Sequence, residues 1–244
     1  MVNLPSNTFL FNYSAKNYNS ATYTFLKTPG QLFDEDLNLT HNPGAVGDDY
    51  VSFSTNAYKV LSYTNTTDNP FNRTSADCSF TFIYKTSGFT ANDSRKLISN
   101  RRISGQPYQS KYDCHNWLIG GYSVFPESLQ FSPSNNPQIV VIRVDSNNVG
   151  KREEVDINGN VLQSSSAATM GWDDPSAGIG FFTGGYNYTG SGECFRGNFY
   201  WMYCSKETLT DAEVLKVINY NEGKEDDSTI CPVGKIFYNG NRII

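Results

Sequence analysis

The sequence predicts a single all-β sandwich domain with one short helix near its end. Three observations carry that expectation. Aromatic residues fill 14% of the 244 positions and stand beside 20 glycines, the usage of a chain with half-buried strands and many turns. Short apolar runs recur between clusters of Gly, Pro, Asn, Asp and Ser, as strands and their connections require. One segment, residues 195–215, joins a continuous apolar run to a complete helix-start signal.

Residues 1–40 are polar and punctuated by Phe9, Phe11, Tyr13, Tyr18, Tyr23 and Phe25. Residues 21–26 alternate well enough for a strand, so this segment is either the first sandwich strand or an arm laid on a neighbour. Residues 49–53 and 80–84 read as strands, with the turn-rich stretch 62–77 between them. Residues 103–114 and 163–177 read as two further long loops, and long loops on a rigid sandwich suit a binding or assembly surface. Residues 137–143 form a β-branched run. Val155 and Ile157 face Val161 across Asn158 and Gly159, a strong two-residue hairpin signal. Residues 178–182 supply another short strand. In the closing strand Phe199, Trp201 and Tyr203 alternate with Tyr200, Met202 and Cys204, so both faces are apolar, as in a sheet covered on both sides. Thr210 is placed to N-cap a helix over 210–221, with Glu213 reaching back and Leu209 and Val214 at the staple positions. A charged linker follows, then an apolar tail with Ile236, Phe237, Tyr238, Ile243 and Ile244, read as an added edge strand or a docking peptide. The expected organisation is a strand or arm over 1–40, a sandwich over 41–222 that takes in part of that arm, and a linker with docking tail over 223–244.

The order of these pieces resembles that of laminin-G-like and concanavalin A-like jelly-roll domains. The last core strand of that superfamily leads into a Leu-Thr/Ser-x-x-Glu helical turn. Phe195, Gly197, Phe199 and Met202 match the strand, and Leu209, Thr210, Glu213 and Val214 match the turn. Residues 155–161 look like its Asn-Gly hairpin, and residues 178–182 like its Ile-Gly strand. The resemblance runs from roughly residue 45 to 220 and implies a jelly-roll β-sandwich of the concanavalin A-like type. Such a fold hosts many functions.

A formal charge of −5, spread along the chain, disfavours nucleic acid, whose phosphates demand a concentrated basic surface. No apolar run reaches the ~18 residues of a membrane span. Residues 1–7 lack the basic and apolar regions of a secretory signal, so cytoplasmic synthesis is expected. The five cysteines, Cys78, Cys114, Cys194, Cys204 and Cys231, are odd in number and widely spaced, a pattern of reduced thiols, with a bridge between Cys194 and Cys114 left open. Cys204 reads as a small core hydrophobe. Asn-x-Ser/Thr triplets begin at Asn12, Asn38, Asn65, Asn72, Asn92 and Asn187 and read as chance products of composition rather than glycan acceptors.

Retaining glucanases of the resembling fold carry three acids on one strand, with nucleophile and acid/base about 5 Å apart. Glu154-Val155-Asp156-Ile157 begins that pattern, but Asn158 and Gly159 stand where the last Glu belongs. His41 and His115 are the two histidines, and Cys114 beside His115 points to the opposite side of a strand. No catalytic residue and no enzymatic activity is therefore expected. Asp48-Asp49 and Asp173-Asp174 are the candidate ligands for a hard cation such as Ca²⁺, or else turn-starting residues. A glycan site fits better than either: Tyr108, Tyr112, Trp172, Tyr186 and Tyr188 offer stacking faces, and Asp173 and Asp174 offer acceptors. Trp117 and Trp201 read as core. The expected function is surface recognition or assembly. A bacteriophage virion component fits, displayed on the virion surface as a homo-oligomer or docked on other subunits. A free-standing extracellular lectin, with or without dependence on Ca²⁺, is the first alternative, and a divergent glycosidase the second.

Overall fold

The computed structural model describes residues 4–5, 9–61, 79–88, 97–99, 118–119, 122–123, 135–147, 149–167, 179–182 and 194–224. In chain order the first strands are β1 (Phe9–Ser14), β2 (Tyr18–Asn19), β3 (Thr24–Phe25), β4 (Leu37–Asn38), β5 (Val51–Phe53), β6 (Lys59–Leu61), β7 (Phe80–Ser87) and β8 (Ile98–Ser99). They are followed by β9 (Leu118–Ile119), β10 (Tyr122–Ser123), β11 (Gln138–Val144), β12 (Gly150–Val155), β13 (Val161–Ala167), β14 (Ile179–Phe181) and β15 (Gly197–Ser205), then by α1 (Asp211–Glu222).

One large antiparallel sheet runs β1-β15-β7-β11-β12-β13, and β5 shares with β1 the same edge of β15. Part of the segment 1–40 therefore sits inside the main sheet: Phe11 pairs with Cys204 and Tyr13 with Met202. Two three-stranded sheets, β6-β14-β8 and β2-β3-β4, stand apart from it. Among the described residues this is an all-β sandwich with one short α-helix, as the sequence predicts.

The large sheet is apolar on both faces of its centre. One face packs aromatics of the smaller sheets and their connections against it: Phe53 lies 4.4 Å from Phe182, Phe182 5.0 Å from Phe199, and Phe11 5.3 Å from Phe181 between ring centroids. The other face buries Ile83, Ile139, Val141, Trp201 and Tyr203 beneath Val214, Val217 and Ile218 of α1. At about 25 cal/mol per Å² of apolar surface removed from water, each fully buried side chain of this kind stabilises the fold by about 1.5–3 kcal/mol.

A bulge corrects the expected alternation in β15. The register shifts between Phe199 and Trp201, so Phe199 joins the face of Met202 and Cys204, while Tyr200 joins Trp201 and Tyr203. The extra residue turns Phe199 toward the smaller sheets without losing burial on either side.

The turn into the helix is fixed locally. Thr210 Oγ1 accepts from the Glu213 amide and the Glu213 carboxylate accepts from the Thr210 amide, a full capping box. Thr81 donates to the Glu207 carbonyl and accepts from the Leu209 amide, both at 2.8 Å, which seats the connection on the sheet. Gly223 ends the helix at φ 72°, a conformation glycine reaches without steric cost. Lys16 Nζ donates to the Asn221 carbonyl at 2.7 Å, placing a cation at the negative helix end.

Two further expectations are corrected at the far end of the sheet. The β12–β13 connection is a five-residue turn, because Asp156 accepts from the Asn158 and Asn160 amides at 2.8 and 2.9 Å and so ends the strand at Val155. Those bonds, led by the one from the Asn160 side chain, hold the Asp156 carboxyl below its usual range. Residues 163–167, expected in a loop, belong to β13. In-register pairing with β12 outweighs the weak strand preference of their serines.

Candidate functional site

The register of β11, β12 and β13 brings three polar side chains together on one face of the main sheet. Glu154 stands opposite Val140 on one side and opposite Gln163 on the other, and Gln138 precedes Val140 by two residues. Val140 belongs to the face that looks toward the smaller sheets. Side chains directly opposite in an antiparallel pair share a face, so Gln138, Glu154 and Gln163 all lie there.

The Glu154 carboxylate is held between the two carboxamides. Gln138 Nε2 donates to Oε1 at 3.2 Å, and Gln163 Nε2 donates to Oε2 at 2.5 Å. Glu154 is half-buried, Gln138 is buried and Gln163 is exposed, which makes a gradient from sheet interior to solvent edge. The carboxylate retains lone pairs for further donors, since each oxygen accepts two. Arg152, opposite Ile142, lies on the same face two residues before Glu154 and is fully buried.

The neighbouring acids serve elsewhere. Glu153 points to the helix side, where its carboxylate meets Arg143 at 2.5 Å and Lys151 at 2.6 Å, while Arg143 also reaches Asp211 at 2.6 Å. Asp156 is consumed by its own turn. The acidic run that begins at Glu154 thus leaves one carboxylate, not a row of them, on the sheet face.

Of the residues expected to bind glycan, Tyr108, Tyr112, Trp172, Asp173, Asp174, Tyr186 and Tyr188 lie outside the described residues, as do Trp117 and the tail residues Ile236, Phe237, Tyr238, Ile243 and Ile244. Asp48 and Asp49 are exposed in the turn that the Gly47 amide closes on the Tyr50 carbonyl at 2.8 Å. Among the described residues no group of three or more His, Cys, Asp or Glu is placed to hold a metal ion, and no helix is long and apolar enough to cross a membrane. Trp201 is core, 2% exposed, and Cys204 is fully buried, which pushes its thiol pKa up.

Neither a family model nor a curated protein matches the sequence. Solved structures do match the fold. Trypanosoma rangeli sialidase superposes with a TM-score of 0.54 at 14% identity over 91% of this chain, which spans only 34% of the sialidase chain. Domain 4 of a GH43 extracellular arabinanase from Geobacillus stearothermophilus, solved in complex with arabinotriose, superposes with a TM-score of 0.50 at 11% identity. That match covers 86% of this chain and 98% of the domain. At such identities the likeness is one of fold.

These matches correct one expectation. With Asn158 and Gly159 where the last glucanase acid belongs, the sequence predicts a non-enzyme, yet the fold is shared with parts of a sialidase and an arabinanase, both glycoside hydrolases. The absence of one glucanase motif does not set this chain apart from them, because glycosidases as a class use more than one pair of groups.

Proposed function

We propose that this chain is a glycan-recognition β-sandwich whose binding face carries Gln138, Glu154 and Gln163. The observation that carries the reading is the carboxylate held between two carboxamides at the solvent edge of the sheet. Sugar hydroxyls are donors and acceptors in close pairs, and a carboxylate flanked by carboxamides offers both, with the charge-assisted bond the stronger. The likeness to an arabinanase domain solved with a trisaccharide, over nearly its whole length, supports the reading.

Within it, Trp172, five residues beyond the end of β13, is proposed as the aromatic platform. The narrower concanavalin A-like jelly roll is the proposed architecture. Display on a virion is the proposed setting, and it rests on the sequence features given above.

A glycan array followed by calorimetry tests the reading, with arabinotriose as the first soluble probe. Glu154→Ala, Gln163→Ala and Trp172→Ala are each expected to weaken binding at least about tenfold, the loss of roughly 1.4 kcal/mol, with little change in melting temperature for the exposed Gln163→Ala. Unchanged affinity in the Glu154 and Gln163 variants would remove the proposed face. The same samples assayed for released reducing sugar report whether binding leads to hydrolysis.

A further inference from the structure

The charges around Glu154 select among glycans. Arg152 shares its sheet face but is fully buried, so its guanidinium lies out of reach of a ligand in solvent. Arg143 and Lys151 extend from the opposite face and engage Glu153. Lys224 is tied to the β12–β13 turn, donating to the Ile157 carbonyl at 2.8 Å and to Asn158 Oδ1 at 3.3 Å. Lys85 lies on the helix side, bonded to Glu222. Gln138 and Gln163 are neutral. Among the described residues, the charge that meets solvent on this face is therefore the Glu154 carboxylate, an acceptor without a proton to give.

From this we infer that the site takes an uncharged saccharide and rejects acidic ones, with Glu154 as the residue that sets the choice. The inference rests on the glycan-recognition reading and narrows it. Adjacent hydroxyls of a neutral sugar donate to the two carboxylate oxygens, while the outer carboxamide of Gln163 accepts or donates at the rim. The carboxylate of a sialic or uronic acid in the same place meets the like charge of Glu154, and such a juxtaposition costs affinity and suppresses the wrong partner. A Trypanosoma rangeli sialidase in complex with sialic acid shares this fold over 35% of its own chain, and the ligand of that protein is an acidic sugar. The residues of this sheet face point the other way.

The full chain is tested on an array holding neutral oligosaccharides, arabinotriose and lactose among them, beside sialyllactose and oligogalacturonate, with hits measured by calorimetry at low and at about 150 mM salt, where screening is strong beyond about 8 Å. Neutral sugars are expected to bind at least tenfold more tightly than acidic ones carrying the same core. Glu154→Gln is expected to bring the two classes within about threefold of each other, the screening-sensitive share of the difference being lost with the charge. Gln163→Glu, which adds a second acid beside Glu154, is expected to widen the gap and to widen it more at low salt. An acidic sugar binding as tightly as its neutral core, or a ratio unmoved in both variants, overturns the charge selection and leaves glycan recognition standing. Binding of neither class overturns both.

Discussion

The indole Nε1–H of Trp201 donates to Glu222 Oε1 at 2.7 Å, joining the central strand to the last residue of the helix. Lys85, which pairs with Trp201 across the sheet, donates to both oxygens of the same carboxylate at 2.8 and 2.7 Å and stands 5.0 Å above the Tyr200 ring. The Lys85 and Glu222 side chains are only 11% and 13% exposed, so solvent cannot replace what either loses.

Glu222→Ala leaves a poorly hydrated ammonium and an unbonded indole N–H. A destabilisation of about 2–4 kcal/mol is expected, somewhat below the figure for a fully buried pair. Glu222→Gln keeps an acceptor for the indole and should cost about half as much. Urea unfolding followed by tryptophan fluorescence measures both, and equal losses in the two variants would show that the ion pair contributes and the indole bond does not.

Glu213 supports the helix start through its bond from the Thr210 amide, which lowers its pKa, with the Thr210 hydroxyl adding to the effect. A depressed folded pKa means stability that is present above the ordinary value of 4.5 and is lost as the pH falls below it. Thr210→Ala is expected to cost about 1 kcal/mol near neutral pH. Glu213→Gln is expected to flatten the acid limb of the stability curve, measured as melting temperature across that range. An unchanged limb would place the acid sensitivity elsewhere.

Tyr13 and Tyr203 are pushed well above the ordinary phenol value of 10.0, in both cases chiefly by burial. Tyr13 is further held by donating to the Glu35 carbonyl at 2.7 Å. A raised folded pKa contributes stability that is complete below pH 10 and is lost as the pH rises beyond it. Ultraviolet difference titration should leave these two phenols protonated at about pH 11, past the free value of about 10, and ionise them only as circular dichroism reports unfolding. Their smooth titration in the folded protein would contradict the burial described.

Elements whose signals are local were legible in the sequence. Thr210, Glu213 and Leu209 carry the helix start within five positions, and the structure forms the capping box they spell out. The bulge in β15 left no such trace, because residues 199–204 are apolar at every position and alternation has no phase to read when both faces are buried. The serines of β13 read as a loop, since pairing with β12, rather than their own propensity, makes them a strand. At the site, Glu154 was visible as a strand carboxylate, but Gln138 and Gln163, 16 and 9 residues away, reach it only through the register of three strands. Pairing register is a property of the sheet, and no local window contains it.

The pairing of β1 with β15 also sets an order of events during synthesis. Phe9 finds its partner Ser205, and Tyr13 its partner Met202, some 190 residues later in the chain. Until β15 leaves the ribosome, the aromatic strand at the beginning has nothing to link it to the block β7-β11-β12-β13, whose strands pair with one another. Closing so long a loop makes folding slow, and the aromatics of β1 must be kept from other partners in the meantime. The last of the described strands is thus the one whose arrival commits the molecule to fold.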